Sequence, residues 1–230
     1  MELVMAHLST RQIKQLLEID HAGKGIKDEV QALIARLTSG GVGVKTDDPR
    51  EAQAKRLYDK GFGLGLSFEK YLEHIPTIPD FSNNPRSYFD RFPELVLVDA
   101  RPSICKICSL LGIEFSGDNE TLVDFEPRRT SDKIYWIRAQ DGRKNNGQSV
   151  RTCRESFGGL EVGLTVYEGL ALFVQNSKSF KGRYMDLPGS VHSDDCGLAA
   201  CLGWDDGRPE LCWCSDGSQS QDDGSASRLK

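Results

Sequence analysis

The chain has 230 residues, 38% of them hydrophobic and 27% charged, a globular composition long enough to bury a core without disulfide or metal staples. Lys and Arg number 29 against 34 Asp and Glu, a net charge of −5 with no basic cluster, which argues against a general polyanion-binding surface. No run approaches the roughly 18 apolar residues of a membrane helix, and residues 1–10 lack the charged-then-apolar layout of an export signal, so the sequence reads as a cytosolic, non-membrane protein.

In chain order, Ser9 with Gln12 three residues on has the form of a capping box, and Ile13, Leu16 and Leu17 follow at helical spacing. Ile26, Val30, Leu33, Ile34 and Leu37 form an apolar stripe that ends at Gly40-Gly41 and predicts a second helix. Pro49 suits the first position of a helix over residues 51–60, and Ser67 offers an N-cap for residues 68–74. Between them, Gly61, Gly63 and Gly65 have neither a preceding strand nor a Lys-Ser/Thr pair. They read as a helix stop and turn rather than a phosphate loop. Residues 75–93 hold four of the nine prolines and read as a loop or linker.

Beyond that loop the pattern changes. Short apolar runs predict strands over residues 95–98, 121–125 and 133–139, with helices over 103–111 and 149–157 and a polar loop at 141–147. Thr165 and Glu168 form a capping-box pair ahead of a helix over 166–176. Pro188-Gly189 reads as a turn. Residues 198–204 and 210–214 flank Asp205-Asp206-Gly207-Arg208, a hairpin signal. Ser, Gly and Asp dominate residues 215–230, which by composition is a frayed end. The predicted class is α+β: a helical region over 1–78, then a mixed domain over 79–230 with short strands, two or three helices and a C-terminal hairpin.

Seven cysteines, an odd count without an export signal, read as reduced thiols. A structural zinc site needs two short-spaced pairs. Cys105 and Cys108 supply one such spacing, whereas Cys196, Cys201, Cys212 and Cys214 do not supply the second. Cys212 and Cys214 would share a strand face, aimed at an ion or packed in the core with Leu211 and Trp213 opposite. Packing is the simpler account, so no metal or cofactor is expected; a zinc-stabilised module is the third reading. The second is a thiol-dependent enzyme, with Cys153 between Arg151 and Arg154 and with His192 as base, oriented by Asp194 or Asp195. Adjacent carboxylate pairs such as Asp205-Asp206 diverge on a strand and suit turns. The N-terminal helices have a helix-turn-helix outline, yet residues 1–60 hold ten basic against nine acidic side chains, which disfavours nucleic acid.

The C-terminal third carries four separated motifs: Leu164-Thr165-Val166-Tyr167-Glu168-Gly169-Leu170-Ala171-Leu172, Asp186-Leu187-Pro188-Gly189-Ser190, Pro209-Glu210-Leu211-Cys212-Trp213-Cys214 and Gly224-Ser225-Ala226-Ser227. In order and spacing they resemble the bacterial domain of unknown function 5701 family, with similarity extending over about residues 55–228. The sequence departs from that family at Cys212, where it has Gly, and at Asp222-Asp223, where it has bulky residues. The family has no assigned activity, so the resemblance implies no catalytic residue. It does imply order through Ser227, with disorder only after it. Thr165 and Glu168 need only cap a helix, Pro188-Gly189 only turn, and Gly224 to Ser227 only make a tight bend. In the functional alternative, N–H groups at the Val166 helix start, the Gly189-Ser190 turn and the Gly224-Ser225 bend converge on a small anion or a peptide end. Thr165, Glu168, Gly189, Ser190, Gly224, Ser225 and Ser227 are then the candidate binding residues. The preferred expectation is a non-catalytic binding or scaffold module with a protein or small-ligand partner.

Overall fold

Local capping chemistry sets most of the helices. The computed structural model describes residues 48–125, 133–180 and 182–230, so the expected helices within residues 9–38 lie outside the described residues. Helix α1 (Pro49–Asp59) starts with Pro at its first turn and with Asp48 accepting from Arg50 N at 3.0 Å. Ser67 caps α2 (Phe68–His74), Ser103 caps α4 (Ile104–Leu111) and Ser149 caps α5 (Val150–Ser156). Between α2 and α4 the proline-rich stretch contains a short helix, α3 (Arg86–Arg91), as well as loop. Pro85 stands at its N-cap, where a missing N–H breaks no helical bond. The long helix α6 (Val166–Asn176) carries the complete Thr165–Glu168 capping box.

Among the described residues ten strands form two sheets, confirming the α+β class. The first sheet has the order β1 (Glu94–Asp99), β4 (Ile134–Gln140), β10 (Ser227–Leu229), β5 (Glu161–Gly163), all antiparallel. The second runs β2 (Glu114–Phe115), β8 (Arg208–Ser215), β7 (Leu198–Asp205), β6 (Met185–His192), β3 (Leu122–Asp124), with β9 (Gly224–Ser225) parallel to β6. The β7–β8 hairpin turns on Asp206 (φ 43°) and Gly207 (φ 80°), two left-handed residues as a two-residue type I′ turn requires.

Two C-terminal expectations need correction. Pro188-Gly189 is not a turn between elements but lies inside β6, whose register against β7 shifts between Leu187 and Val191. A proline lacks the ladder donor, so an interrupted register is where a strand can hold one. Nor is Gly224–Ser227 a tight bend. Its first two residues join the second sheet, Ala226 crosses fully buried, and β10 joins the first sheet as far as Leu229. The chain's last strands thus stitch the two sheets together.

Helix α6 is apolar almost all round and sits at the centre, packing on β1, β6 and β7 and on α1 and α4. Gly169 brings it close to β6, where a Cβ would meet Leu187 at 2.4 Å. Residues Asp48–Lys230 form one compact unit, in which α1 and α2 contribute to the same core as the sheets. Ala54 and Leu57 are fully buried, and Tyr71 donates to Asp99 Oδ2 at 3.0 Å. Among the described residues no helix is long and apolar enough to cross a membrane.

The outer edge of β1 is closed by a side chain. Gln53 on α1 donates to Leu95 O (2.6 Å) and accepts from Leu97 N (2.8 Å), a substitute for a neighbouring strand. Replacing Gln53 by Ala leaves both backbone groups unpartnered, and urea unfolding should show a loss of about 1–3 kcal/mol. A loss below about 0.5 kcal/mol, the usual surface value, would mean that water serves the edge equally well.

Candidate functional site

The three segments singled out from the sequence do meet, but they close on one another. Val166 N donates to Ser190 Oγ (3.0 Å), Gly189 N to Leu164 O (2.8 Å), Leu164 N to Ala226 O (3.0 Å) and Ala226 N to Asp186 O (2.9 Å). Glu168 Oε2 accepts from Thr165 N (2.8 Å) and its Oε1 from Arg228 Nε (2.6 Å). Ser225 O accepts from Gln140 Nε2 (2.9 Å) and Asn145 Nδ2 (2.6 Å), and Ser227 Oγ donates to Glu161 Oε1 (2.6 Å). Thr165, Glu168, Ser190, Ser225 and Ser227 are fully buried. Gly189 and Gly224 are glycines for space: a Cβ would meet Gly163 O at 2.7 Å in one case and Gly142 O at 2.3 Å in the other. The N–H groups of Val166 and Gly189, expected to face a ligand, are engaged inside the protein.

The proposed thiol pair is not assembled. Cys153 is fully buried, its Sγ donating to Gln148 Oε1 at 3.9 Å, and burial pushes its pKa up, the opposite of what a nucleophile needs. Its flanking arginines serve another group: Asp216 accepts from Arg151 (2.6 Å) and Arg154 (3.4 Å). His192 Nδ1 accepts from Asp194 N (3.1 Å), and the ring lies edge-on to Trp213 with centroids 4.9 Å apart.

Nor do the cysteines gather around an ion. Cys108 is in the core, where burial raises its pKa to about 12, and Cys196 is exposed in the loop after β6. Among the described residues no three or more His, Cys, Asp or Glu side chains are grouped to hold a metal. On β8, Leu211 and Trp213 pack toward the core while Cys212 and Cys214 lie on the opposite face. Cys214 Sγ donates to Asp186 Oδ1 at 3.5 Å. Burial pushes the Asp186 carboxyl up to about 6, with the Cys214 hydrogen bond working against the shift.

The arrangement best suited to a ligand lies just outside the closed polar core. Arg154 Nε donates to Pro188 O (2.9 Å), the guanidinium stacks 4.0 Å above the Phe125 ring centroid, and the side chain is 9% exposed. Because Arg154 shares Asp216 with Arg151, one carboxylate serves two guanidiniums. Among the described residues the buried Arg154 Nη2 group has no hydrogen-bond partner, and burial lowers the pKa of the side chain. Arg154 lines a pocket of about 120 Å³ together with Phe125, Phe157, Gly158, Gly159 and Pro188. A Cβ on Gly158 or Gly159 would meet nothing within 4 Å, and neither residue has a positive φ. No internal contact or backbone strain therefore demands glycine there; bare backbone keeps the pocket open. Phe125, 44% exposed, and Phe157 supply the apolar part of the lining.

The sequence does not disclose this pocket, because the adjacency of Arg154 to Cys153 points to thiol chemistry instead. The available signal was Phe157-Gly158-Gly159-Leu160 between a helix and a strand. Comparison with protein-family models, with curated proteins and with solved structures finds no match.

The raised Asp186 pKa has a definite sign. The folded protein holds the proton more tightly than the unfolded chain, so the contribution of this group is full below pH 3.8 and lost as pH rises through about 6. Asp186→Asn should therefore be more stable than the parent at pH 8, by about 2–3 kcal/mol, and nearly equal to it at pH 4. Urea titrations of both proteins at the two pH values measure the difference.

Proposed function

We propose that residues 48–230 act as a non-catalytic binding module whose ligand presents a carboxylate or phosphate group to Arg154. The observation that carries this reading is the buried Arg154 Nη2, a donor without a partner on a guanidinium that must share its counter-ion. An oxyanion at that point would satisfy the donor and complete the charge balance, a gain larger in a low-dielectric pocket than in water. Gly158 and Gly159 line the same pocket, and bare glycine backbone lets an anion approach closely. Phe125 and Phe157 favour a ligand whose anionic group is joined to an apolar body, such as a fatty carboxylate or a peptide ending in an apolar residue. Seven free cysteines fit a reducing, cytosolic setting. Kinship with the domain of unknown function 5701 family is proposed on the motifs given above and transfers no residue role.

Gly159→Val tests the reading at a residue that lines the pocket and where an added Cβ would meet nothing within 4 Å. Titration with inorganic phosphate and with octanoate, followed by backbone amide chemical shifts, should give saturable changes at Gly158 and Gly159 in the parent. In Gly159→Val the affinity should fall by about tenfold or more, with the melting temperature unchanged. Equal affinity in the variant, or no saturable change with either anion, would refute the assignment.

A further inference from the structure

The face of the second sheet that carries Cys201, Cys212 and Cys214 has a separate chemistry. Strands β7 and β8 set Cys201 directly opposite Cys212, with both thiols free and their Sγ atoms 2.9 Å apart. The pair Asp205–Arg208 closes the two-residue turn as a hydrogen-bonded pair, and alternate pairs along the ladder repeat that type, so Cys201–Cys212 is one of them. Such pairs hold their Cα atoms about 5.5 Å apart, inside the span of about 4.4–6.8 Å that a disulfide bridges. The Cα span of such a pair is thus one a disulfide can bridge, and the sulfurs are already in contact. The partners differ in access, Cys201 being 3% exposed and Cys212 half-buried.

We propose that Cys201 and Cys212 are a reversible thiol–disulfide pair, oxidised by a small-molecule disulfide. Cys212, the accessible partner, enters first: its thiolate attacks one sulfur of the small disulfide, forming a mixed disulfide. The small disulfide's own S–S bond breaks, and its other half leaves as a thiolate that takes up the Cys212 proton. Cys201 Sγ then attacks Cys212 Sγ, breaking the mixed disulfide. The second half leaves as a thiolate and takes up the Cys201 proton. The protein loses two electrons and two protons, and the small disulfide is reduced to two thiols. Hydrogen bonding to Cys212 and Cys214, together with burial, pushes the Cys201 pKa up, so Cys201 is not the entering thiol. Contact between the sulfurs supplies the high effective concentration that the second step needs. Cys214, on the same face of β8, is engaged with Asp186 Oδ1 and with Ala199 O at 3.6 Å.

The test uses the full reduced chain and oxidised glutathione as the probe. After incubation, free thiols are alkylated, the protein is cleaved at Asp and Glu without reductant, and the peptides are weighed. Cleavage at Asp205 and Asp206 separates the two cysteines, so a covalent link between their peptides reports the bond directly. The expected result is one Cys201–Cys212 cross-link, two fewer alkylated thiols than in the reduced protein, and full reversal by dithiothreitol. Cys201→Ser should trap glutathione on Cys212, and Cys214→Ser should leave the cross-link in place. A lasting glutathione adduct on Cys212 in the parent chain, a cross-link through Cys214, or alkylation of all seven cysteines would overturn the proposal.

Discussion

The fold hinges on one buried carboxylate. Glu168 closes the capping box of α6 with one oxygen and holds the Arg228 guanidinium with the other, while its own side chain is wholly shielded from water. A lone buried charge would be very unfavourable; paired and hydrogen-bonded, it becomes a fixed joint between the central helix and the last strand. That joint explains why a segment of serines, glycines and aspartates is ordered. With Arg228 anchored, β10 can pair with β4 and β5, and Ala226 can cross to β9 on the other sheet.

From the same joint the geometry passes outward to the pocket. The start of α6 fixes Leu164 and Val166 against Gly189 and Ser190, which sets the path of β6 through Pro188. The Pro188 carbonyl in turn orients Arg154. Along this path the N–H groups of Leu164, Val166, Gly189 and Ala226 all donate within the protein. At Arg154 the pairing stops one donor short, and an unmet buried donor costs about 1–3 kcal/mol. Natural sequences retain such costs chiefly where the group has work to do with something else.

How much of this was legible depended on the range of the forces involved. Ser67, Ser103, Ser149 and Thr165 mark helix starts through bonds to residues two or three positions away, and Asp206-Gly207 forms its turn through its own backbone angles; all of these could be read directly. Pro188-Gly189 suggests a turn locally, yet pairing with residues far along the chain holds it in a strand. The serines of Gly224–Ser227 carry no strand signal, and only their partners on β6, β4 and β5 make them one. Arg154 was misread for a related reason. Its sequence neighbour is Cys153, but α5 turns the guanidinium toward Asp216 and Pro188 instead.

The close approach of Gly163 and Gly189 also shapes how this protein can evolve. A Cβ on Gly163 would meet the Pro188 Cβ at 2.4 Å, and one on Gly189 would strike Leu164 O at 2.7 Å, so neither wall of that seam tolerates even alanine without displacement. Descendants of this chain cannot reshape the pocket from the inner side. Change is left to the outer residues Phe125 and Phe157, where side chains can be exchanged while the seam behind them stays invariant.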